Sequence, residues 1–71
     1  MRLHYDRDTD SLYIHLADRP AADSDEVTEG VVLDYDADGA LVGIDVQHAN
    51  ATTEIDRLVV EHLPLSHFDA A

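Results

Sequence analysis

The segment "DYDADGALVGID", Asp34 to Asp45, decides the fold, because it can be read in two incompatible ways. A calcium loop of the EF-hand type needs oxygen ligands at its first, third and fifth places and a glycine at the sixth. It also needs a backbone carbonyl at the seventh and a two-oxygen glutamate at the twelfth. Asp34, Asp36, Asp38 and Gly39 fall on those places, Leu41 fills the apolar eighth and Asp45 stands at the twelfth. Such a loop is entered and left by helices. Here Val31, Leu33 and Tyr35 alternate with Val32, Asp34 and Asp36, and beyond "ADGA" Val42, Ile44 and Val46 alternate with Gly43, Asp45 and Gln47. A period of two on both sides of the turn is the pattern of paired strands. The same alternation sends Val42, the ninth place, into the core, and Asp45 is a methylene shorter than the clamping glutamate. Asp and Gly dominate tight turns for conformational reasons alone, with Gly39 supplying the positive φ that a turn with a bulge demands. The segment is therefore read as a hairpin. Asp34, Asp36, Asp38 and Asp45 stay as candidate ligands of a weaker divalent-cation site.

Working outward, Leu3 and Tyr5, then Leu12, Ile14 and Leu16, fall on alternate positions with His4, Asp6, Tyr13 and His15 between them. "RLHYD" and "SLYIHLA" are thus two strands joined by the polar turn "RDTD". "DRPAADSDE", Asp18 to Glu26, has no periodicity and reads as a surface loop. From Thr53 the period changes: Ile55, Leu58, Val59 and His62 sit at helical spacing with Leu63 beside them. Thr53 with Asp56 has the form of a capping box, and Pro64 stops the helix. The expected architecture is one α+β domain over residues 1–71. It comprises a four-stranded antiparallel sheet of two hairpins (1–48), one C-terminal helix (53–63) packed on one face of the sheet, and an irregular tail (64–71) from which Leu65 and Phe68 could fold back onto the sheet.

Composition narrows the partners. A chain of 71 residues buries only roughly 60% of the surface its unfolded form exposes, and without cysteine no disulfide or thiolate zinc site supplements the core. Self-association as a homodimer is the expected supplement. Four arginines, Arg2, Arg7, Arg19 and Arg57, face sixteen acids, a net charge of −12. That surface repels phosphate, so neither nucleic acid nor an anionic membrane is an expected partner, whereas a basic protein or a cation is attracted. The start, "MRLHYDRDTD", has no apolar h-region, and no apolar run is long enough for a membrane span, so the expected location is the cytoplasm.

A second constellation is the polar face of the sheet. His4 and His15 are expected across from each other on neighbouring strands, with Tyr13, Asp34, Asp36 and Asp45 on the same side. Imidazoles with carboxylates can bind a divalent ion or act as an acid and base pair. Outward strand positions are polar in any half-exposed sheet, however, and a single open sheet offers no pocket. His48 continues the inward register of Val42, Ile44 and Val46 and reads as a strand-end residue at the margin. Ser11 and Ser66 lack any motif that would make them nucleophiles, and there is no glycine-rich phosphate cradle. No catalytic residue and no cofactor is assigned.

At "YDRDTDSLYIHLAD" and "EGVVLDYDADGALVGIDVQHA" the chain resembles a bacterial family of short proteins, domain of unknown function 2283. The matching residues are Tyr5, Asp6, Asp10, Leu12, Tyr13, Ile14, Gly30, Asp34, Tyr35, Asp36, Gly39, Gly43, Ile44 and Asp45, the last standing where glutamate is common. The resemblance covers roughly residues 1 to 50. It implies a small cytoplasmic protein, and the encoding of some members beside toxin-like proteins fits an antitoxin or other neutralising role. It supplies no catalytic residue. Three functions are weighed on this basis. The leading one is a non-enzymatic interaction module that binds a basic partner, and the second is a divalent-cation binder using Asp34, Asp36, Asp38 and Asp45. The third is an enzyme working from His4 and His15 in a cleft made by dimerisation.

Overall fold

Alternation of apolar and polar side chains produces strands where it was expected, and the computed structural model, which describes residues 1–70, places them in one antiparallel sheet. Ala71, the end of the expected irregular tail, lies outside the described residues. The elements are β1 (Arg2–Asp6), β2 (Ser11–His15), β3 (Asp23–Thr28), β4 (Val31–Tyr35), β5 (Leu41–Val46) and the short helix α1 (Ala49–Thr52). The sheet order is β1-β2-β5-β4-β3. The hairpin β1–β2 pairs Leu3 with Ile14 and Tyr5 with Leu12; β5 then joins it to the meander β3–β4–β5 by pairing Ile14 with Ile44 on one side and Leu33 with Ile44 on the other.

The sheet has five strands where four were expected. The added strand is β3, which begins in the second half of the segment read as a loop and runs two residues beyond it to Thr28, and every one of its residues is exposed. With Val27 as its one large apolar residue β3 carries no apolar alternation, so its sequence looks like a loop. Its acids, Asp23, Asp25 and Glu26, lie along a free edge where charge discourages pairing with other chains. Gly30, at φ 80, closes the β3–β4 turn, and its carbonyl accepts the backbone N–H of Gln47 at 2.7 Å. The crossing from β2 to β3 is held at both ends: Leu16 N–H donates to the Val42 carbonyl at 2.9 Å, and Ala22 N–H to that of Tyr35 at 2.8 Å.

The expected helix over 53–63 does not form. Among the described residues helical structure is confined to the four of α1, and Thr53 leaves it with φ −131 and ψ 164. The cause lies in the threonines. The Thr53 hydroxyl donates backwards to the Ala49 carbonyl at 2.6 Å, and that of Thr52 to His48 at 3.0 Å, so Thr53 offers no cap to residues ahead of it. An eleven-residue apolar stripe without a cap is marginal unless a surface receives it. None does, since Leu58, Val59 and Leu63 remain 67%, 55% and 46% exposed. Leu65 and Phe68 are also exposed, so the tail does not fold back over the sheet. His48 differs from expectation too: it is exposed, at φ 53, in the left-handed conformation that precedes α1.

One hydrogen-bond cluster, centred on Asp10, ties the start of the chain to α1. Asp10, at φ 53, accepts the Tyr5 hydroxyl at 2.7 Å and the Asn50 side-chain amide at 2.9 Å, and its backbone carbonyl accepts Ala49 N–H at 2.9 Å. The turn before β1 meets β2 is thereby fastened to α1. The core itself is small, with only Val42 and Ala49 buried among the apolar residues described. Among the described residues no helix is long and apolar enough to cross a membrane.

Candidate functional site

Strand register puts Tyr13 opposite His4 on β1 and Asp45 on β5, and puts His15 opposite Arg2 and Gly43. Asp34 lies opposite Gly43 and Ser24. These residues share the polar face, as their alternation requires. His4 and His15 are not directly across from each other, as expected from sequence, but diagonal: each faces a different partner in the β1–β2 ladder. The His15 ring instead sits beside Tyr13, with centroids 4.4 Å apart and planes tilted by 60°.

The best-built feature of this face is a chain of hydrogen bonds across three strands. Tyr13 on β2 reaches over β5 and donates its hydroxyl to Asp34 Oδ2 on β4 at 2.5 Å. Ser24 on β3 donates to Asp34 Oδ1 at 2.6 Å. Tyr13 can pass because residue 43 is glycine: a Cβ there would lie 2.6 Å from Cζ and 2.9 Å from Cε1 of the ring, and closer still to the hydroxyl. The bond to Asp34, with burial and the charges of Asp34 and Asp45 behind it, pushes the Tyr13 phenol up to about 12. At neutral pH Tyr13 is therefore a fixed donor. It is neither a base nor a nucleophile.

The four candidate cation ligands have four different surroundings. Both oxygens of Asp34 are occupied by Tyr13 and Ser24. Asp36 closes the hairpin turn: its Oδ1 accepts the N–H groups of Asp38 and Ala40, both at 2.9 Å, and its Oδ2 accepts Arg19 Nε at 2.8 Å. Asp38 is an exposed turn residue. Asp45 has one buried oxygen, Oδ1, with no hydrogen-bond partner. The segment is entered by β4 and left by β5, so the ends that an EF-hand would splay are paired strands. Among the described residues no group of three or more His, Cys, Asp or Glu side chains is placed to hold a metal ion.

Tyr13, Asp34 and Asp45 line neither of two clefts in the described residues, the first of which takes Asp36 and Asp38 into its lining. A cleft of about 260 Å³ lies beneath Arg19 and Asp36 at the end of the hairpin, and one of about 500 Å³ lies on the opposite, apolar side between Leu3, Tyr5 and Leu12 and the chain following α1. Ser24, Gly43, Asp10 and Asn50 were not singled out for roles by sequence. Gly43 alone had a signal, since a glycine inside a strand marks the close approach of another group.

Acid stability follows from two of these carboxyls. The Ala40 N–H, then Arg19 and the Asp38 N–H, hold Asp36 below its ordinary 3.8, and the Tyr5 hydroxyl, then the Asn50 N–H and side chain, do the same for Asp10. A folded-state value below the unfolded one stabilises above the unfolded value and loses that contribution as pH falls through the folded one. The melting temperature, followed by circular dichroism, is expected to hold from neutral pH to about 4 and to drop below it. The acid drop should be shallower in Asp36→Asn, whose neutral side chain still presents an acceptor to the turn.

A polar face fastened by a tyrosine, on a five-stranded antiparallel sheet with one short helix, defines a small α+β protein of acidic surface. Residues 2–50 match the family model described as Protein of unknown function (DUF2283), and the chain belongs to that family. The match covers all five strands and ends within α1, leaving the exposed apolar segment outside it. No curated protein and no solved structure matches the chain.

Proposed function

We propose that the chain is a cytoplasmic, non-enzymatic protein-interaction module that works as a homodimer and takes a basic protein partner on its acidic surface, in the manner of an antitoxin neutralising a toxin. The observation that carries this reading is the imbalance of charge, −12 over 71 residues. It is joined to a polar face on which Tyr13, Ser24 and Asp34 are fastened to one another. Tyr13 is tied to Asp34, and Ser24 spends its hydrogen on the same carboxylate, so neither is set up for nucleophilic or acid–base chemistry. Opposite charge accelerates encounter and selects partners, and the acids of β3 lie along a free edge where a basic chain can reach them.

Affinity capture from the native host with the tagged full-length chain tests the reading. A basic protein should be retained at low ionic strength and released by salt, because screening weakens an attraction between opposite charges. Recovery of the chain without any basic protein removes the reading. A divalent-cation role has one observation in its favour, the partnerless buried oxygen of Asp45. Calorimetric titration with calcium decides it, and no heat and no rise in melting temperature would dispose of it.

A further inference from the structure

The apolar side of the molecule is unfinished. Of the large apolar side chains that stay exposed, Met1, Leu3 and Tyr5 belong to the first strand and its start. Leu58, Val59, Val60, Leu63, Leu65 and Phe68 belong to the segment after α1. The two groups adjoin, since the cleft of about 500 Å³ is lined by Leu3, Tyr5 and Leu12 on the sheet and by Ile55 and Leu58 on the segment. Elsewhere on the same face Leu33, Ile44 and Val46 are only half-buried. The molecule exposes 5814 Å². A compact monomer of 7.8 kDa exposes about 4,400 Å² by the scaling of surface with mass, so about 1,400 Å² is in excess. A stable interface of ordinary size removes roughly 800 Å² from each partner. The excess is thus enough for one such interface.

We infer that this face, the apolar side of the sheet together with segment 55–68, is the contact between two copies of the chain, an inference that rests on the self-association proposed above. A second copy fits for a stated reason. Each chain carries both an uncovered sheet face and an uncovered apolar segment, and a two-fold contact covers both kinds of surface on both chains at once. The charges on the segment, Asp56 and Glu61 against Arg57, leave it acidic, like the rest of the molecule. Pairing two such chains brings like charges together, so salt strengthens the dimer while it weakens binding of a basic partner. The two interactions are separable by that sign.

Sedimentation equilibrium of the full chain over a concentration series, at low and high salt, reads the dissociation constant. The expected result is a mass of twice 7.8 kDa, with dimerisation no weaker at high salt. Leu58→Glu with Phe68→Glu alters side chains that are 67% and 64% exposed in the single chain, so the sheet is retained by circular dichroism. The dissociation constant is expected to rise at least about tenfold. A wild-type chain that stays monomeric overturns both the self-association and this interface. A dimer unchanged by the paired substitution overturns the interface alone. Isotope-filtered NMR on a mixed-label wild-type sample adds a test that needs no variant: contacts from the Phe68 ring and Leu58 methyls to Leu3 and Leu12 of the other chain support the inference, and their absence in a dimeric sample overturns it.

Discussion

Gly43→Ala is expected to lower stability by about 1–3 kcal/mol, the usual cost of forcing a methyl group into filled space. In a domain of this size that is a fall in melting temperature of roughly 5–20 °C. The effect is large for one methyl because the obstacle is an aromatic ring held in place, not the loose end of a flexible chain: Tyr13 crosses β5 above Gly43 and ends on Asp34. An alanine Cβ displaces the ring, and the ring takes its hydrogen bond with it. The second substitution Tyr13→Phe does not rescue Gly43→Ala, because the added Cβ also meets Cζ and Cε1, atoms that phenylalanine keeps. A thermal melt of Gly43→Ala indistinguishable from wild type would show that Tyr13 does not lie where it is described.

Tyr13→Phe by itself removes the donor and leaves the ring. A hydrogen bond to a charged acceptor is worth more than a neutral one, and partial exposure of this face trims it, so a loss of about 1–2 kcal/mol is expected. The pH dependence identifies the bond. The folded-state value of the phenol is raised from 10.0 to about 12, so its contribution is complete below 10.0 and is lost as pH rises through the folded value. The gap in melting temperature between wild type and Tyr13→Phe should therefore be constant at neutral pH and close between pH 10.0 and about 12. An ultraviolet titration that finds all three tyrosines ionising together near their ordinary value would contradict it.

Four strands were legible because their apolar side chains alternate: Leu3 and Tyr5, Leu12 and Ile14, Val31 and Leu33, and Ile44 and Val46 fall on one side of the sheet, half-buried in β2, β4 and β5 and exposed in β1. The strand β3 was hidden for the converse reason. Its residues, DSDEVT, are polar but for Val27, and strand pairing made through the backbone alone leaves no trace in hydropathy. The misread helix had the right spacing and the wrong first residue, since the Thr53 hydroxyl is spent on the carbonyl of Ala49 behind it. Of the polar face, the shared side of Tyr13, Asp34 and Asp45 was legible from the period of two. The link from Tyr13 to Asp34 spans 21 residues and that from Asn50 to Asp10 spans 40, and partners so distant have no local pattern to betray them. Ser24 could not be placed without β3.

The last strand of the chain, β5, is the middle strand of the sheet. The hairpins β1–β2 and β3–β4 have no common edge until it arrives between β2 and β4, so neither half is a domain in miniature and the chain cannot be cut into working pieces. A ribosome must release residue 46 before the sheet can close, because only then do β2 and β4 gain the neighbour they share.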